Sequence, residues 1–311
     1  MGDFIIEAKN LEKQYMKQKV LKQASFAIKK GSICGLVGPN GAGKTTIMKI
    51  LGGLVIPTSG SYSIFGESDE LGLANSRSRS SFIIETPYLK QEMSARDNLK
   101  KQCIQMGIPN KDRIEEVLEI VGLSDVGKKS AKNFSLGMKQ RLGIAIALLR
   151  KPELLVLDEP VNGLDPEGIV EIRNLIKKLN EEEGITIVIS SHILNELSLL
   201  CTDYIFINHG EIIKSITAKE LNNECRESYN ISTDNNSLAC AILSEKLGID
   251  SYEVTKDGII KVFERMSEQR DISKTLFENG VIPTMLCVQN ANLEEYYMGL
   301  IDEANKKLEE N

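Results

Sequence analysis

No stretch of these 311 residues approaches 18 uninterrupted apolar residues, so the sequence offers no candidate membrane-spanning helix. The N-terminus, Met1-Gly2-Asp3-Phe4-Ile5-Ile6-Glu7, lacks the basic segment followed by an apolar one that a signal peptide needs. Ile6 also stands where a myristoylation signal wants Ser or Thr. A basic excess is missing too: 38 Lys and Arg against 44 Asp and Glu give a net charge of −6, which argues against a bare nucleic-acid binder. Cysteine pairs are absent. Cys34, Cys103, Cys201, Cys225, Cys240 and Cys287 stand singly, with no C-x-x-C, as reduced core residues of a cytosolic protein do. Only two histidines occur, His192 and His209, neither with a Cys at ligand spacing, which argues against a Cys/His metal site. There is no internal repeat and no low-complexity tract. What remains is an ordinary soluble composition, long enough for a sizeable core and two domains.

What the chain does have is Gly38-Pro39-Asn40-Gly41-Ala42-Gly43-Lys44-Thr45, which fits the phosphate-binding pattern G-x-x-x-x-G-K-[ST]. The apolar run Ile33–Val37 before it reads as a buried strand, and Thr46-Ile47-Met48-Lys49-Ile50-Leu51 after it opens a helix. Glycines let the backbone approach closely, successive N–H groups point at phosphates, and the helix N-terminus favours negative charge. Lys44 is expected to reach the β- and γ-phosphates of a nucleoside triphosphate, and Thr45 to place its hydroxyl on Mg²⁺.

Around this motif the pattern predicts strands at Phe4–Lys9, Ala24–Ile28, Ser32–Val37, Ser61–Phe65 and Ser81–Ile84. From about residue 86 to 130 polar helical segments, Ala95–Met106 and Asp112–Val121, form a helical insertion. Helical spacing returns over Ser135–Leu149. Then come a strand at Leu154–Leu157, a helix at Ile169–Asn180, a strand at Thr186–Ser190, a helix at Ile193–Leu200, and strands at Asp203–Asn208 and Glu211–Ser215. Beyond Ala218 the pattern restarts: strand Ser228–Thr233, helix Ser237–Leu247, a hairpin of Tyr252–Thr255 and Ile259–Phe263 around Lys256-Asp257-Gly258, helix Glu268–Asn279, strand Ile282–Val288 and helix Leu293–Lys307. The order βαββαβ suggests a small ferredoxin-like α+β domain. The expected division is residues 1–217 and 218–311.

A second phosphate-handling element is Leu154-Leu155-Val156-Leu157-Asp158-Glu159-Pro160, an apolar strand ending in two carboxylates. Asp158 would hold the metal, directly or through water. Glu159 could orient and deprotonate the attacking water.

Between the two elements lies Asn133-Phe134-Ser135-Leu136-Gly137-Met138-Lys139-Gln140-Arg141. Here the chain resembles the ATP-binding subunits of ABC transporters, over residues 3 to about 215. Ser135–Gln140 resembles the family's signature motif, Asn162-Gly163-Leu164-Asp165 its D-loop, His192 its switch histidine, and Tyr15 the aromatic that stacks on adenine. The resemblance implies an α/β fold: an ABC-type P-loop ATPase core with a mixed sheet. It implies MgATP bound through Tyr15, Gly38 to Thr46 and Asp158. Two subunits would pair head to tail, as homodimer or heterodimer, with Ser135 and Gly137 completing the partner's site and Asp165 linking the two. Glu159 and His192 would drive hydrolysis. A separate integral membrane permease is implied, with this chain peripheral on the cytoplasmic face of the membrane. One position departs from the family, which usually carries Gln where this chain has Glu85. Glu there is similar to the exporters that protect cells against lantibiotics and bacitracin, and a carboxylate can still ligate Mg²⁺ or hold a water. The signature context and the C-terminal extension also resemble that peptide-antibiotic subgroup.

Two other readings compete. Non-transport relatives that act on ribosomes carry two ATPase cores, and those that act on DNA split theirs with a coiled coil. This chain has one set of motifs, no sustained heptads over residues 50–130 and no basic surface. Alternatively the C-terminal domain is the functional centre. It carries no catalytic carboxylate pair, metal ligands or phosphate loop, and reads as an interaction or dimerisation surface, with a small-molecule pocket still open. Exporter of a different cargo also stays open.

Overall fold

A computed structural model describes residues 3–108, 111–191, 193–225, 228–255, 257–264, 268–289 and 293–309. The chain forms two compact units, Met1–Ala218 with Leu300–Asn311, and Lys219–Gly299.

In the first unit, β1 (Phe4–Tyr15) and β2 (Gln18–Lys29) make an antiparallel hairpin, closed by Met16 in the left-handed region (φ 51°). Both strands run well past the segments the sequence pattern marks. Their pairing shifts register between Ala8 and Leu11, where Asn10 takes a positive φ, and again between Leu11 and Lys13, opposite Gln23 at positive φ. Each bulge breaks the period-two alternation that identifies a strand in sequence.

β3 (Ile33–Val37) leads into α1 (Lys44–Leu51). β4 (Ser59–Ile64) returns beside β1, giving a three-stranded sheet β2-β1-β4. α2 (Glu70–Ser78), which the pattern does not mark, starts at Asp69, whose carboxylate accepts from Gly72 N at 3.0 Å. Only Leu73 and Ser76 are buried in it, too thin an apolar stripe to show as periodicity.

β5 (Ser80–Ile83) precedes the helical insertion, which contains α3 (Ala95–Met106) and α4 (Lys111–Ile120). α5 (Leu136–Leu148) brings the chain back, and the buried guanidinium of Arg113 on α4 donates to the Leu148 and Leu149 carbonyls at its end. There follow β6 (Leu154–Asp158), α6 (Pro166–Glu181), β7 (Thr186–Ser191), α7 (Leu194–Ser198), β8 (Asp203–Asn208) and β9 (Glu211–Thr217). The main sheet runs β5-β6-β7-β3-β8-β9, parallel except for β9, so it is the expected mixed sheet. Every residue of β3, β6 and β7 is buried, as strands covered on both faces require. One core cluster joins the inner residues of β1 and β2, the apolar face of α1 (Ile47, Met48, Ile50, Leu51) and the main sheet. It fixes the phosphate-loop helix between two sheets.

Along the chain, α8 (Ala218–Glu224) is another short helix the pattern leaves unmarked. In the second unit, β10 (Ser228–Thr233), α9 (Asn236–Leu247), β11 (Tyr252–Val254), β12 (Ile260–Val262), α10 (Gln269–Glu278) and β13 (Pro283–Gln289) follow the βαββαβ order. The sheet order β11-β12-β10-β13, antiparallel throughout, is the ferredoxin-like arrangement. Ala239, Ile242 and Leu243 of α9 and Ile272 and Leu276 of α10 share one core with Tyr229, Ile231, Ile260 and Val262 of the sheet. The last helix, α11, spans Leu293–Glu309. Of the residues of the Lys256-Asp257-Gly258 turn, Lys256 lies outside the described residues, and Gly258 takes φ 80°. No helix among the described residues is long and apolar enough to cross a membrane.

Candidate nucleotide site

The site starts where β3 leaves the sheet. Gly38 is buried and Pro39, Asn40 and Gly41 are exposed at the loop's tip, while Ala42 and Gly43 return inside. A Cβ on Gly38 would lie 2.4 Å from Ile207 O, so only glycine lets the loop pass β8. Gly43 caps α1 at φ 114°, a conformation that L side chains rarely adopt. The loop is tied by Ala42 N to Pro39 O at 3.1 Å and by Gly210 N to Ala42 O at 3.0 Å. Because Gly43 has no side chain, α1 begins without a side-chain cap, and its positive end faces the loop.

Lys44 is 5% exposed, which an ammonium tolerates only when paired. Its Nζ donates to Gly38 O at 2.7 Å and Pro39 O at 3.3 Å and lies 3.6 Å from Glu159 Oε1. Thr45 Oγ1 donates to Asp158 Oδ2 at 2.8 Å. Thr46 is half-buried on the same turn. Asp158 ends β6 in register with Ser190 of β7. Ser190 Oγ donates to Asp158 Oδ1 at 2.6 Å and accepts from Glu159 N at 2.9 Å. The backbone at Glu159 swings to φ 48°, and its carboxylate emerges toward Lys44. Four side chains named by two distant motifs, Lys44, Thr45, Asp158 and Glu159, thus converge. Ser190 organises both carboxylate positions. The sequence pattern does not single it out, and the one available signal is its place at the end of an apolar strand.

Glu85 follows β5 with φ 67°. Its Oε1 accepts from Lys49 Nζ at 2.7 Å, and the Lys49 ammonium holds its carboxyl below the usual carboxylate range. Tyr15 closes β1, 43% exposed, with Lys13 Nζ 4.9 Å from its ring centroid.

A second group forms where α5 and α6 begin. Ser135 caps α5, its Oγ accepting from Met138 N at 3.2 Å. Asp165 caps α6, its Oδ1 accepting from Gly168 N at 3.2 Å. A Cβ built on Gly137 would lie 3.8 Å from Gly168 Cα, so the signature turn and the Asp165 turn are neighbours within one chain. His192 lies outside the described residues.

The donors fit magnesium: a hydroxyl and a carboxylate oxygen, Thr45 Oγ1 and Asp158 Oδ2, already converge within 2.8 Å, and hard oxygens are what that cation takes.

The ABC transporter family model matches residues 21–162. The bacitracin transport ATP-binding protein BcrA of Bacillus licheniformis is 42% identical over 96% of this chain and 97% of its own length. The lantibiotic transport ATP-binding protein SrtF of Streptococcus pyogenes is 48% identical over 67% of this chain and 89% of its own. A dimeric ATP-binding cassette solved in a post-hydrolysis state with ADP and Pi superimposes with a TM-score of 0.61 at 27% identity, over 68% of this chain and 98% of that one.

Proposed function

The chain belongs to the ABC transporter family, and on that premise we propose that it is the ATP-hydrolysing subunit of an exporter that protects a cell against peptide antibiotics of the bacitracin or lantibiotic type. The observation that carries the substrate class is the extent of the match. Similarity to the bacitracin transport protein covers 96% of this chain and so takes in the ferredoxin-like unit as well as the ATPase core. Similarity to the lantibiotic protein adds a second relative of related cargo over 67% of the chain.

In the proposed cycle Lys44 exchanges the Gly38 and Pro39 carbonyls for the β- and γ-phosphates of ATP, and the uncapped start of α1 supports their charge. Tyr15 stacks on adenine. Thr45 and Asp158 hold Mg²⁺, which supplies charge neutralisation at the phosphates when bound. Glu159 takes the proton of the attacking water, with His192 assigned to positioning it. Ser135 and Gly137 at the start of α5 offer a second anion site, which a partner subunit's nucleotide fills. Asp165 sits beside that turn and links the two sites.

The permease is a separate chain, and this subunit is peripheral on the cytoplasmic face of the membrane. We place their contact at a groove of about 460 Å³ bordered by β5, the segment after Glu85, α3 and α5, with Tyr88, Met106 and Arg150 on its walls. Pro87 of that segment packs against Gly143 of α5, where a Cβ would meet its ring at 2.4 Å. Movement at Glu85 therefore reaches the helix that starts at Ser135.

The test is susceptibility to a panel of lantibiotics and bacitracin in cells that express the chain with its neighbouring permease, with Glu159→Gln as control. Resistance lost in the control is the expected result. Unchanged susceptibility to every panel member, with ATPase activity intact, removes the antibiotic cargo and leaves an ABC ATPase of a different exporter.

A further inference from the structure

Lys49 follows Thr45 by four residues on α1, so both side chains occupy one face of the helix. Thr45 already touches Asp158 there. Lys49 Nζ reaches across to Glu85 Oε1 at 2.7 Å. The hydrogen bond to Glu85, together with the negative charges of Glu85 and Asp158, raises the Lys49 ammonium above its ordinary range. Lys49 thus pairs with Glu85 from the helix face that carries Thr45, the residue bonded to Asp158. Glu85 itself takes a left-handed backbone, φ 67°, which a non-glycine residue adopts at some cost. β5 pairs with β6 in parallel up to Ile83 and Leu157, so Glu85 and Asp158 lie at the same end of the sheet, where two like charges disfavour each other and a triphosphate.

We propose that Lys49 is a positioning residue of the nucleotide site: its ammonium is the counter-charge of Glu85 before nucleotide and metal arrive, so that Lys49 and the divalent cation are alternative partners for one carboxylate. The inference rests on reading Thr45, Asp158 and Glu85 as the metal side of the site. Its consequence is specific. With Lys49 removed, Glu85 is an uncompensated anion, and ATP without metal is repelled. With Mg²⁺ present, the cation supplies the missing charge and the loss shrinks. With Glu85 neutralised, Lys49 has nothing to compensate. Both side chains are partly exposed, 32% for Lys49 and 67% for Glu85, so the expected effects are about two- to fivefold rather than orders of magnitude.

The chain has no tryptophan, so binding is read with mant-ATP fluorescence on the full-length protein. Dissociation constants are measured in EDTA and in excess Mg²⁺ for the unaltered chain, Lys49→Met, Lys49→Arg, Glu85→Gln and the Lys49→Met/Glu85→Gln pair. Lys49→Met is expected to weaken binding about threefold in EDTA and by less than half of that factor in Mg²⁺. Lys49→Arg keeps the pair and behaves as the unaltered chain, and Glu85→Gln abolishes the effect of Lys49→Met. An equal effect of Lys49→Met with and without metal, or an effect that persists in the Glu85→Gln background, overturns the proposal. Failure of the underlying reading shows differently: the unaltered chain binds no mant-ATP, or Lys44→Ala binds it as well as the unaltered chain does.

Discussion

Ser190→Ala tests the geometry of the site most directly, because the change deletes one oxygen and nothing else. Ser190 is fully buried. Its Oγ donates to Asp158 Oδ1 at 2.6 Å and accepts from Glu159 N at 2.9 Å. A hydrogen bond to a charged group contributes about 1.5–3 kcal/mol, and an orphaned buried N–H costs about 1–3 kcal/mol. The two do not add in full, since Asp158 keeps Thr45 as a partner. A net loss of about 3 kcal/mol is the expectation. For a unit of this size each kcal/mol lowers the melting temperature by roughly 2–4 °C, so the variant should melt roughly 6–12 °C lower. Calorimetry on the nucleotide-free protein measures it. The same variant should lose ATPase activity by at least tenfold, because Asp158 and Glu159 are no longer held to a common point. A melting temperature within about 2 °C of the unaltered protein, with kcat unchanged, would show that the β6–β7 contact does not organise the site.

Two further outcomes follow from burial and backbone geometry. Gly43→Ala puts a Cβ 2.7 Å from Leu21 Cδ2 at φ 114°, and should lower ATP affinity at least tenfold in a mant-ATP titration, whereas Gly184→Ala, at φ 66° with open space around it, should cost stability alone. Thiol labelling of the native protein at pH 8 should modify exposed Cys287 first, read by peptide mass mapping; burial pushes the Cys34 and Cys201 thiols up, so both should react only after denaturation, and early labelling of either would contradict their place in the core.

How much of this was legible in sequence depended on how local the cause is. The strand, glycine loop and helix of residues 33–51 lie together in the chain, and their residue types carry their own backbone demands, so the element is readable by pattern alone. The strand ending in Asp158 and Glu159 is readable for the same reason, as is the βαββαβ order of the C-terminal unit. The mixed sheet and the ferredoxin-like arrangement were expected and are found. β1 and β2 were read too short, because bulges at Asn10 and Gln23 hide their alternation. α2 went unmarked because two buried side chains make no periodic stripe.

The convergence of the site is a different matter. Ser190 meets Asp158 across 32 residues because β6 and β7 pair in parallel with that one register, and Thr45 meets Asp158 across 113 because β3, which leads into α1, pairs with the other edge of β7. A shift by one residue would turn Ser190 to the opposite face of the sheet. Lys49 meets Glu85 only because α1 is packed so that its Thr45 face looks toward the end of β5. The sequence by itself determined which groups can bind a phosphate, a metal or a water, since that is a property of residue type and local backbone. Which of them share one site, and which lysine pairs with Glu85, was decided by strand register and helix packing, where contacts between distant segments have no trace in local pattern.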